Sequence, residues 1–261
     1  MQVIIPYFEY TGNPRRRANL DATLKQLGGI DHVVSAFCDN PPPDALSFDH
    51  GAMIWQKERL VNLAVDAAGT SHDRIIILDA DCIFQNHDWL DNINRALDEC
   101  DIVQCFNSLE YQFDDRNYNL QGAVASHHIY GKYTGSVTGG AWAFRAPFPR
   151  YYEHCVVGGG DTAFCDKLLD RGSTFIQSQA HRAHYLAWYS SQAQRTFGYA
   201  NNTAKCLPCG SFHTRNFASR HRILRNYSPL DDTFTKPGEL LQMPNKKLEL
   251  AILDFLVGRD K

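Results

Sequence analysis

The sequence predicts an α/β fold in which a mostly parallel central sheet is flanked by helices. Apolar segments of strand length alternate with segments of helical periodicity over the first 84 residues, in the order strand, helix, strand, helix, strand. Parallel strands need a crossover connection, so this alternation is typical of a parallel sheet covered by helices. At 261 residues and 44% apolar content, the chain suits one large domain, or a domain with a tail.

The first five elements follow from local patterns. A strand is expected at residues 2–6, where Pro6 is expected to stop it. The helix that follows carries Leu20, Leu24 and Leu27 on one face and ends at a glycine pair. The next three elements are expected as a strand at 32–37, a helix at 55–68 and a central strand in the segment DRIIILDADCIF at 73–84.

The second half of the chain is less regular. A helix at 89–99 and a strand at 102–106 precede residues 107–133, where the periodicity fades. A loop of that length is usually functional, and we expect it to shape an acceptor site. The later elements are expected as an alternating strand in SVTGGAWAFRAPF, a helix that begins in GGGDTAFCDKL and a final helix at 246–257.

Charge is distributed unevenly along the chain, although the net charge is only −3. Residues 171–230 contain eight Lys or Arg and no Asp or Glu, which indicates a surface that meets an anion. The alternative is an uneven surface without a ligand. No apolar run is long enough to span a membrane. The N-terminus lacks the pattern of a signal peptide, so the eight cysteines are expected to be reduced core thiols in the cytoplasm.

The central strand runs directly into Asp79-Ala80-Asp81. Two carboxylates at the carboxyl end of a buried strand suit a hard divalent cation, which prefers oxygen ligands. That edge of an open α/β sheet is also where ligands bind. The alternative for such an isolated DxD motif is a solvated acidic turn.

Six segments, in this order, resemble the GT-A nucleotide-sugar glycosyltransferases, most closely their family-2-like group with its phage and bacterial members. They are IIPYFEYTGNPRRRANLDATL, FCDN, WQKERLVNLAVDAA, LDADCIF, TGGAWAFRA and GGGDTAFCDKL. The resemblance implies a GT-A catalytic domain at 1–205 and a C-terminal extension at 206–261 that packs on the active site. It also implies a cytoplasmic hexosyl- or pentosyltransferase, bacterial or acting in a phage-infected host cell.

The reaction implied by the resemblance moves a sugar from a nucleotide-sugar, with a UDP-sugar expected, to an acceptor hydroxyl with inversion. Mn²⁺ or Mg²⁺ is held by Asp79 and Asp81, of which Asp81 is the expected direct ligand. Asp161 is the implied base. Many relatives have a Glu-Asp pair where this chain has Gly160-Asp161, which leaves one acid. The alternative role for Asp161 is a helix N-cap.

The resemblance also implies a set of donor-binding residues: Pro6, Tyr7, Arg17, Asp39, Lys57, Arg59, Asp79, Ala80, Asp81, Gly139, Gly140, Trp142, Arg215 and Arg220. For the basic helix residues Arg17, Lys57 and Arg59, the alternative is an exposed surface charge. For Trp142 the alternative is a core side chain.

The tail carries the expected third metal ligand, His213. Relatives have histidines where this chain has Cys206 and Cys209, so Cys209 is the alternative ligand; one CxxC pair is weak evidence for zinc.

The basic stretch suits either the diphosphate of the donor or a polyanionic acceptor, and the resemblance to phage members implies a hydroxymethylated base in DNA as one such acceptor. The alternatives are a cell-surface glycan or a small molecule. Two other functions also fit the sequence: a non-catalytic nucleic-acid-binding module and a nucleotidyltransferase. No GxxxxGK phosphate loop is present, which argues against kinases and ATPases.

Overall fold

The computed structural model describes residues 1–9, 12–69, 71–132, 136–172, 175–208, 210–213 and 219–259. The strands are β1 Gln2–Glu9, β2 His32–Cys38, β3 Leu46–Ser47, β4 Arg74–Leu78, β5 Cys82–Phe84, β6 Ile102–Gln104, β7 Ser108–Gln112, β8 Asn117–Gln121, β9 Ala141–Arg145, β10 Phe197–Tyr199 and β11 Thr203–Cys206. The helices are α1 Pro14–Leu27, α2 Lys57–Ala68, α3 Trp89–Glu99, α4 Ala123–Tyr130, α5 Gly160–Leu168, α6 Gln179–Ser191, α7 Pro229–Asp232 and α8 Lys246–Arg259, with a 3-10 helix at Arg220–Leu224.

The predicted fold class is confirmed. A seven-stranded sheet has the order β10-β6-β9-β4-β1-β2-β3. Its pairs are parallel except where β9 runs antiparallel to both β4 and β6. Alternate residues of β1 enter different clusters of the core, because successive side chains point to opposite faces of a strand: Val3 and Ile5 in one, Ile4 with Val61 of α2 in another.

The strand order reverses at β1. The chain leaves β1 for β2 on one side, and later returns to pair β4 on the other side. In open α/β sheets, ligands bind outside the carboxyl ends of the strands at such a switch point. At this edge lie Pro6–Phe8, in the second half of β1, and Asp79–Asp81, which follows β4 directly.

The prediction that Pro6 stops the first strand is wrong. β1 continues to Glu9 and stays paired with β2 along its length. The N–H of Val3 bonds toward β2, to the carbonyl of Asp31, so the nitrogen of Pro6 faces the β4 side. The ladder to β4 ends at Ile4. Pro6 therefore lacks an N–H where no ladder bond is needed.

The prediction of one long loop over 107–133 is also wrong. β7 and β8 form an antiparallel hairpin there, followed by α4. The hairpin belongs to a second sheet of order β5-β11-β7-β8. Leu109 pairs with Leu120 and Tyr111 with Tyr118 on the same face, so one side of the hairpin is apolar.

The C-terminal part of the chain packs around the start of α2. The side-chain amide of Gln56 donates to the carbonyl of Leu241, whose N–H donates back to Gln56. The carboxylate of Glu249 accepts from the N–H of Met53. The predicted boundary at 205/206 falls inside β11. Within the described residues, no helix combines the length and apolarity that a membrane crossing requires.

Candidate active site

A cleft of about 540 Å³ opens at the carboxyl edge of the large sheet, within the size range of small-molecule sites. Nine predicted site residues line it: Pro6, Tyr7, Lys57, Asp79, Ala80, Asp81, Gly139, Asp161 and Arg220. These residues come from the ends of β1 and β4, the starts of α2 and α5, the segment before β9 and the 3-10 helix. The fold therefore brings together most of the residues that the sequence predicted.

Lys57 joins two acids across the cleft. Its Nζ atom lies 2.6 Å from Oδ1 of Asp79 and 2.7 Å from Oδ2 of Asp161. Lys57 is the first residue of α2 and is only 5% exposed, so the alternative of an exposed helix charge is excluded. Burial alone would lower the pKa of Lys57, but Asp161 and Asp79 outweigh it and raise the pKa well above its usual range.

The backbone around the DxD motif is fixed on both sides. The N–H of Asp79 donates to the carbonyl of Gly140, and the N–H of Gly140 donates to Oδ2 of Asp79 at 3.2 Å. The carbonyl of Asp81 accepts from the N–H of Leu207. Burial raises the pKa of Asp79, and the Lys57 ammonium opposes that rise. Hydrogen bonds to the backbone on both sides therefore fix the DxD motif at the edge of the cleft, so the motif is not a solvated turn.

The donor chemistry of this edge fits Mg²⁺ or Mn²⁺. Such ions often take one or two carboxylates and complete their shell with water and substrate phosphates. Asp79 accepts from Lys57 and Gly140, and both Asp79 and Asp81 line the cleft. Among the described residues, no three His, Cys, Asp or Glu side chains form a cluster that could hold a metal ion. Water and a phosphate-bearing ligand would supply the remaining oxygens.

Asp161 lies in the first turn of α5, whose N-cap is Gly159. The alternative of an N-cap role for Asp161 is therefore not the arrangement found. A Cβ atom placed on Gly139 would lie 2.9 Å from Oδ2 of Asp161, so this side chain lies directly against the backbone of residue 139. Thr138 and Thr162 join the two segments through a hydroxyl–hydroxyl hydrogen bond of 3.0 Å.

Two arginines contribute positive charge to the cleft. Arg220, which the sequence predicted, lies with its guanidinium against Gly158 and Gly159: Cβ atoms placed there would be 3.1 and 3.4 Å from its nitrogens. Arg16, which the sequence analysis did not single out, also lines the cleft and lies over the ring of Phe8. Arginine in such a position suits phosphate oxygens.

Two other predicted arginines do not line the cleft. Arg17 bonds to Asp21 and to the carbonyl of Asn40 on the surface of α1. Arg59 is buried. Its guanidinium bonds to the Glu153 carboxylate and to chain segment 235–239.

Three further predicted residues within the described ranges also lie apart from the cleft lining. Asp39 is exposed after β2. Trp142 is a buried side chain that donates to the carbonyl of Thr138 and packs edge-on against Phe164, which matches the core alternative. His213 is exposed, and Arg116 contacts its Nε2 atom at 2.8 Å. Arg215 and Cys209 lie outside the described residues.

An aromatic wall, which the sequence analysis missed, closes one side of the cleft. Tyr111, Phe113 and Tyr118 come from the β7–β8 hairpin, and Phe212 follows β11. Tyr111 and Phe113 stack with ring centroids 5.1 Å apart, and Phe212 meets Phe113 edge-on at 5.3 Å. The alternation of apolar residues at 109, 111, 113, 118 and 120 is the sequence signal that could have indicated this wall.

No protein-family model matches the chain, and no curated protein matches its sequence. Among solved structures, it is similar to a mutant Drosophila β-1,4-galactosyltransferase 7 in complex with manganese, UDP-Gal and xylobiose. That similarity has 14% identity and a TM-score of 0.37, and covers 65% of this chain and 61% of that chain.

Two further similarities cover more of the chain. One is to a nucleotide-diphospho-sugar transferase described as putative, from Desulfovibrio desulfuricans, at 8% identity, TM-score 0.37, 96% of this chain and 97% of that one. The other is to a glucose-1-phosphate thymidylyltransferase from Bacillus anthracis, also described as putative. That similarity has 11% identity and a TM-score of 0.38, and covers 92% of this chain and 99% of that chain. All three TM-scores are below 0.5, so the function proposed below rests on the residues of the cleft.

Proposed function

We propose that this protein is a metal-dependent glycosyltransferase of the GT-A type that moves a sugar from a nucleotide-sugar to an acceptor hydroxyl. The observation that carries the proposal is the Lys57 ammonium bound at once to Asp79 of the DxD motif and to Asp161. It connects a candidate diphosphate site to a candidate base in one cleft at the switch point of the sheet. Sugar transfer needs both groups within reach of one sugar ring.

The donor half of the cleft is formed by Pro6, Tyr7, Asp79, Asp81 and Arg220. Asp81, with Asp79 beside it, would hold the divalent cation. The cation, when bound, would offset the negative charge that develops on the departing nucleoside diphosphate. Arg220 reaches the same space and would contact phosphate oxygens. Pro6 and Tyr7, which are buried in the second half of β1, suit contact with a nucleoside, for which uridine is the expected choice.

The acceptor half contains the base. Asp161 accepts from Lys57 through Oδ2, so Oδ1 is the atom that would take the proton of the acceptor hydroxyl. Lys57 fixes the direction of the carboxylate, and Gly139 gives it close backbone support. Attack by the activated hydroxyl on the face opposite the diphosphate would invert the anomeric carbon.

The aromatic wall suits the flat face of a ring, either a sugar or a base. The run of basic residues at 171–230 supports a polyanionic acceptor, and a hydroxymethylated base of DNA is the candidate of that kind. Of this run, however, Arg195 is used internally, as a donor to the carbonyls of Arg145 and Pro147.

Thermal unfolding with nucleotides tests the donor half directly. UDP, GDP, CDP and ADP are each added with and without Mn²⁺, because a ligand that binds only the folded state raises Tm. We expect one diphosphate, with UDP the expected one, to raise Tm in a Mn²⁺-dependent way. Asp81→Asn should abolish that shift, whereas Asp21→Asn, an exposed acid on α1, should retain it.

The released product tests the reaction class. Incubation with the stabilising nucleotide-sugar and candidate acceptors, including DNA containing hydroxymethylated bases, should release a nucleoside diphosphate. Release of pyrophosphate from a nucleoside triphosphate and a sugar phosphate would instead identify a nucleotidyltransferase. No Tm response to any nucleotide, with salt-dependent DNA binding, would favour a nucleic-acid-binding module.

A further inference from the structure

Glu58, the residue after Lys57 in α2, brings a third carboxyl group close to the two acids that Lys57 binds. The residue is 1% exposed. Within the ranges that the structure describes, its Oε2 atom has no hydrogen-bond partner. A buried carboxyl group with an unsatisfied oxygen costs stability. Its position in the cluster therefore needs an explanation, and the mechanism above does not use it.

Glu58 fills the space that a side chain at position 160 would need. A Cβ atom placed on Gly160 would lie 2.0 Å from Oε1, 2.2 Å from Cδ and 2.4 Å from Cγ of Glu58. Gly160 is the first residue of α5, and Asp161 follows it. The Glu58 carboxyl group thus lies against the turn of backbone that holds Asp161, and a glycine at 160 is what admits it.

The surroundings of Glu58 determine its charge. Five ionisable groups face Glu58: Lys57 of the same helix, Asp79 at the end of β4, Asp161 of α5, and Tyr151 and Cys155 of the segment before α5. Burial, reinforced by the Asp161 carboxylate, raises the pKa of Glu58 to about 8. Near neutral pH the neutral acid predominates, and the Lys57 ammonium is left to Asp79 and Asp161.

We propose that Glu58 is a positioning residue for Asp161: its carboxyl group occupies the side-chain space of residue 160 and supports the first turn of α5 without competing for Lys57. Loss of the Glu58 proton would place a negative charge behind Asp161 and draw the ammonium away from it. Turnover should therefore fall on the alkaline side as Glu58 ionises. The role assigned to Asp161 rests on the proposed function; the fit between Glu58 and Gly160 does not.

The test uses five variants of the full chain: Glu58→Gln, Glu58→Ala, Gly160→Ala, Glu58→Ala/Gly160→Ala and Glu58→Ala/Gly160→Asp. We expect Gly160→Ala to lower Tm, because its Cβ overlaps the Glu58 carboxyl group. Glu58→Ala/Gly160→Ala should recover Tm but not kcat, since misplacing a reacting group by about 1 Å can cost about a hundredfold in rate. Glu58→Ala/Gly160→Asp, which returns a carboxyl group to the same space from α5, should regain kcat.

The pH profile separates positioning from simple packing. Glu58→Gln keeps the shape of the neutral acid, so its kcat should stay near that of the wild type at neutral pH and should not fall on the alkaline side. Equal kcat values for the two double variants would overturn the proposal: two high values would mean that filling the space is enough, and two low values would mean that a carboxyl group in that space does not support Asp161. An alkaline fall retained in Glu58→Gln would overturn it as well.

Failure of the proposed function would look different. A wild-type protein without transfer activity would end the assignment of Asp161 as a base. The remaining half of the inference would then be decided by Tm values alone. Strongly non-additive effects of Glu58→Ala and Gly160→Ala would support the shared space, and additive effects would overturn it.

Discussion

The Nζ atom of Lys57 lies 2.7 Å from Oδ2 of Asp161, so the first residue of α2 is bound to the first turn of α5. These two helices cross the sheet in separate connections, and neither residue has a local partner of the opposite charge at helical spacing. The bond is therefore made only when the sheet has assembled. It fixes the direction of the acid that the proposed reaction uses.

Replacing Lys57 with methionine should destabilise the protein. Removing one partner of a fully buried pair costs about 3–5 kcal/mol, and a cost toward the lower end is expected here because the Asp79 and Asp161 side chains that would remain are 27% and 19% exposed. Lys57→Met should therefore shift the denaturant midpoint far below that of the wild type. Lys25→Met, an exposed lysine on α1, is the matched control and should leave the midpoint nearly unchanged. Similar midpoints for the two variants would show that the bridge contributes little.

Asp161→Asn should lower kcat by about 10²- to 10⁴-fold, the usual contribution of a positioned general base. The Kd of the nucleoside diphosphate should stay close to the wild-type value, because Asp161 is not assigned to the donor. Asp91→Asn controls for the loss of an acid in the first turn of a helix, here α3. An Asp161→Asn variant with wild-type kcat would remove the base assignment.

Glu58 should make the free energy of unfolding depend on pH. Its pKa in the folded protein is about 8, well above its usual range, so the folded chain retains a proton that the unfolded chain releases. Stability should therefore fall as pH rises toward 8, by at most about 1.4 kcal/mol per pH unit. Above pH 6.5 this effect is not opposed by the buried histidines His154, His181 and His221, whose pKa values are lowered from 6.5 to about 3 and which act in the opposite direction at lower pH. The buried thiols, whose pKa values are raised by burial, act in the same direction near pH 8, so the comparison with Glu58→Gln is what assigns the slope.

Denaturant unfolding at about pH 6.5, 7.2 and 8.0 measures the slope of the free energy of unfolding against pH. Glu58→Gln should flatten it, and Glu99→Gln, an exposed acid at the end of α3, should not. The same slope in wild type and Glu58→Gln would mean that Glu58 ionises normally.

Arg59→Met should destabilise the protein without abolishing nucleotide binding. Its guanidinium holds Glu153 and the segment 235–239 to α2, so its loss should cost about 3 kcal/mol or more. Arg17→Met removes only a surface contact and should change stability by at most about 0.5 kcal/mol. Neither arginine lines the cleft, so both variants should retain the Mn²⁺-dependent Tm shift with nucleotide. A lost shift in Arg17→Met at unchanged stability would return that residue to the donor site.

Tyr118→Ala should weaken binding of one substrate through the aromatic wall. Stacking of a ring on an aromatic side chain is worth about 1–3 kcal/mol, so KM for that substrate should rise by about tenfold. Tyr118→Phe keeps the ring but loses the contact of its hydroxyl with Arg116, and should behave like the wild type. Separate KM values for donor and acceptor will show which one meets the wall. Unchanged values for both in Tyr118→Ala would exclude a stacking role.

The parts of the fold that the sequence predicted are those set by local periodicity. The helix expected at 89–99 is found at Trp89–Glu99, because its apolar face repeats clearly. The length of β1 could not be predicted, since the tolerance for Pro6 depends on where the ladder to β4 ends. The β7–β8 hairpin was missed because its short alternation is broken by polar residues and a turn.

The residues of the candidate site were likewise predictable only where a local sequence pattern marks them. Asp79, Asp81, Lys57 and Asp161 belong to segments with recognisable patterns, and the fold brings them to one cleft. Glu58 has no such signal, because a glutamate in the first turn of a helix is ordinarily solvated. Its burial depends on the absence of a side chain at Gly160, on a different helix. Only the three-dimensional arrangement reveals that dependence.

The contacts of Gln56 and Arg59 with residues 239–241 have a consequence for synthesis. These two residues flank Lys57 and Glu58 in the chain, and their partners are synthesised 180 to 185 residues later. A nascent chain can pair β1, β2 and β4 early, but the start of α2 acquires its final anchor only after residue 241 has emerged. The charge cluster is therefore completed late, and a chain stalled before that residue should be structured in its sheet yet inactive.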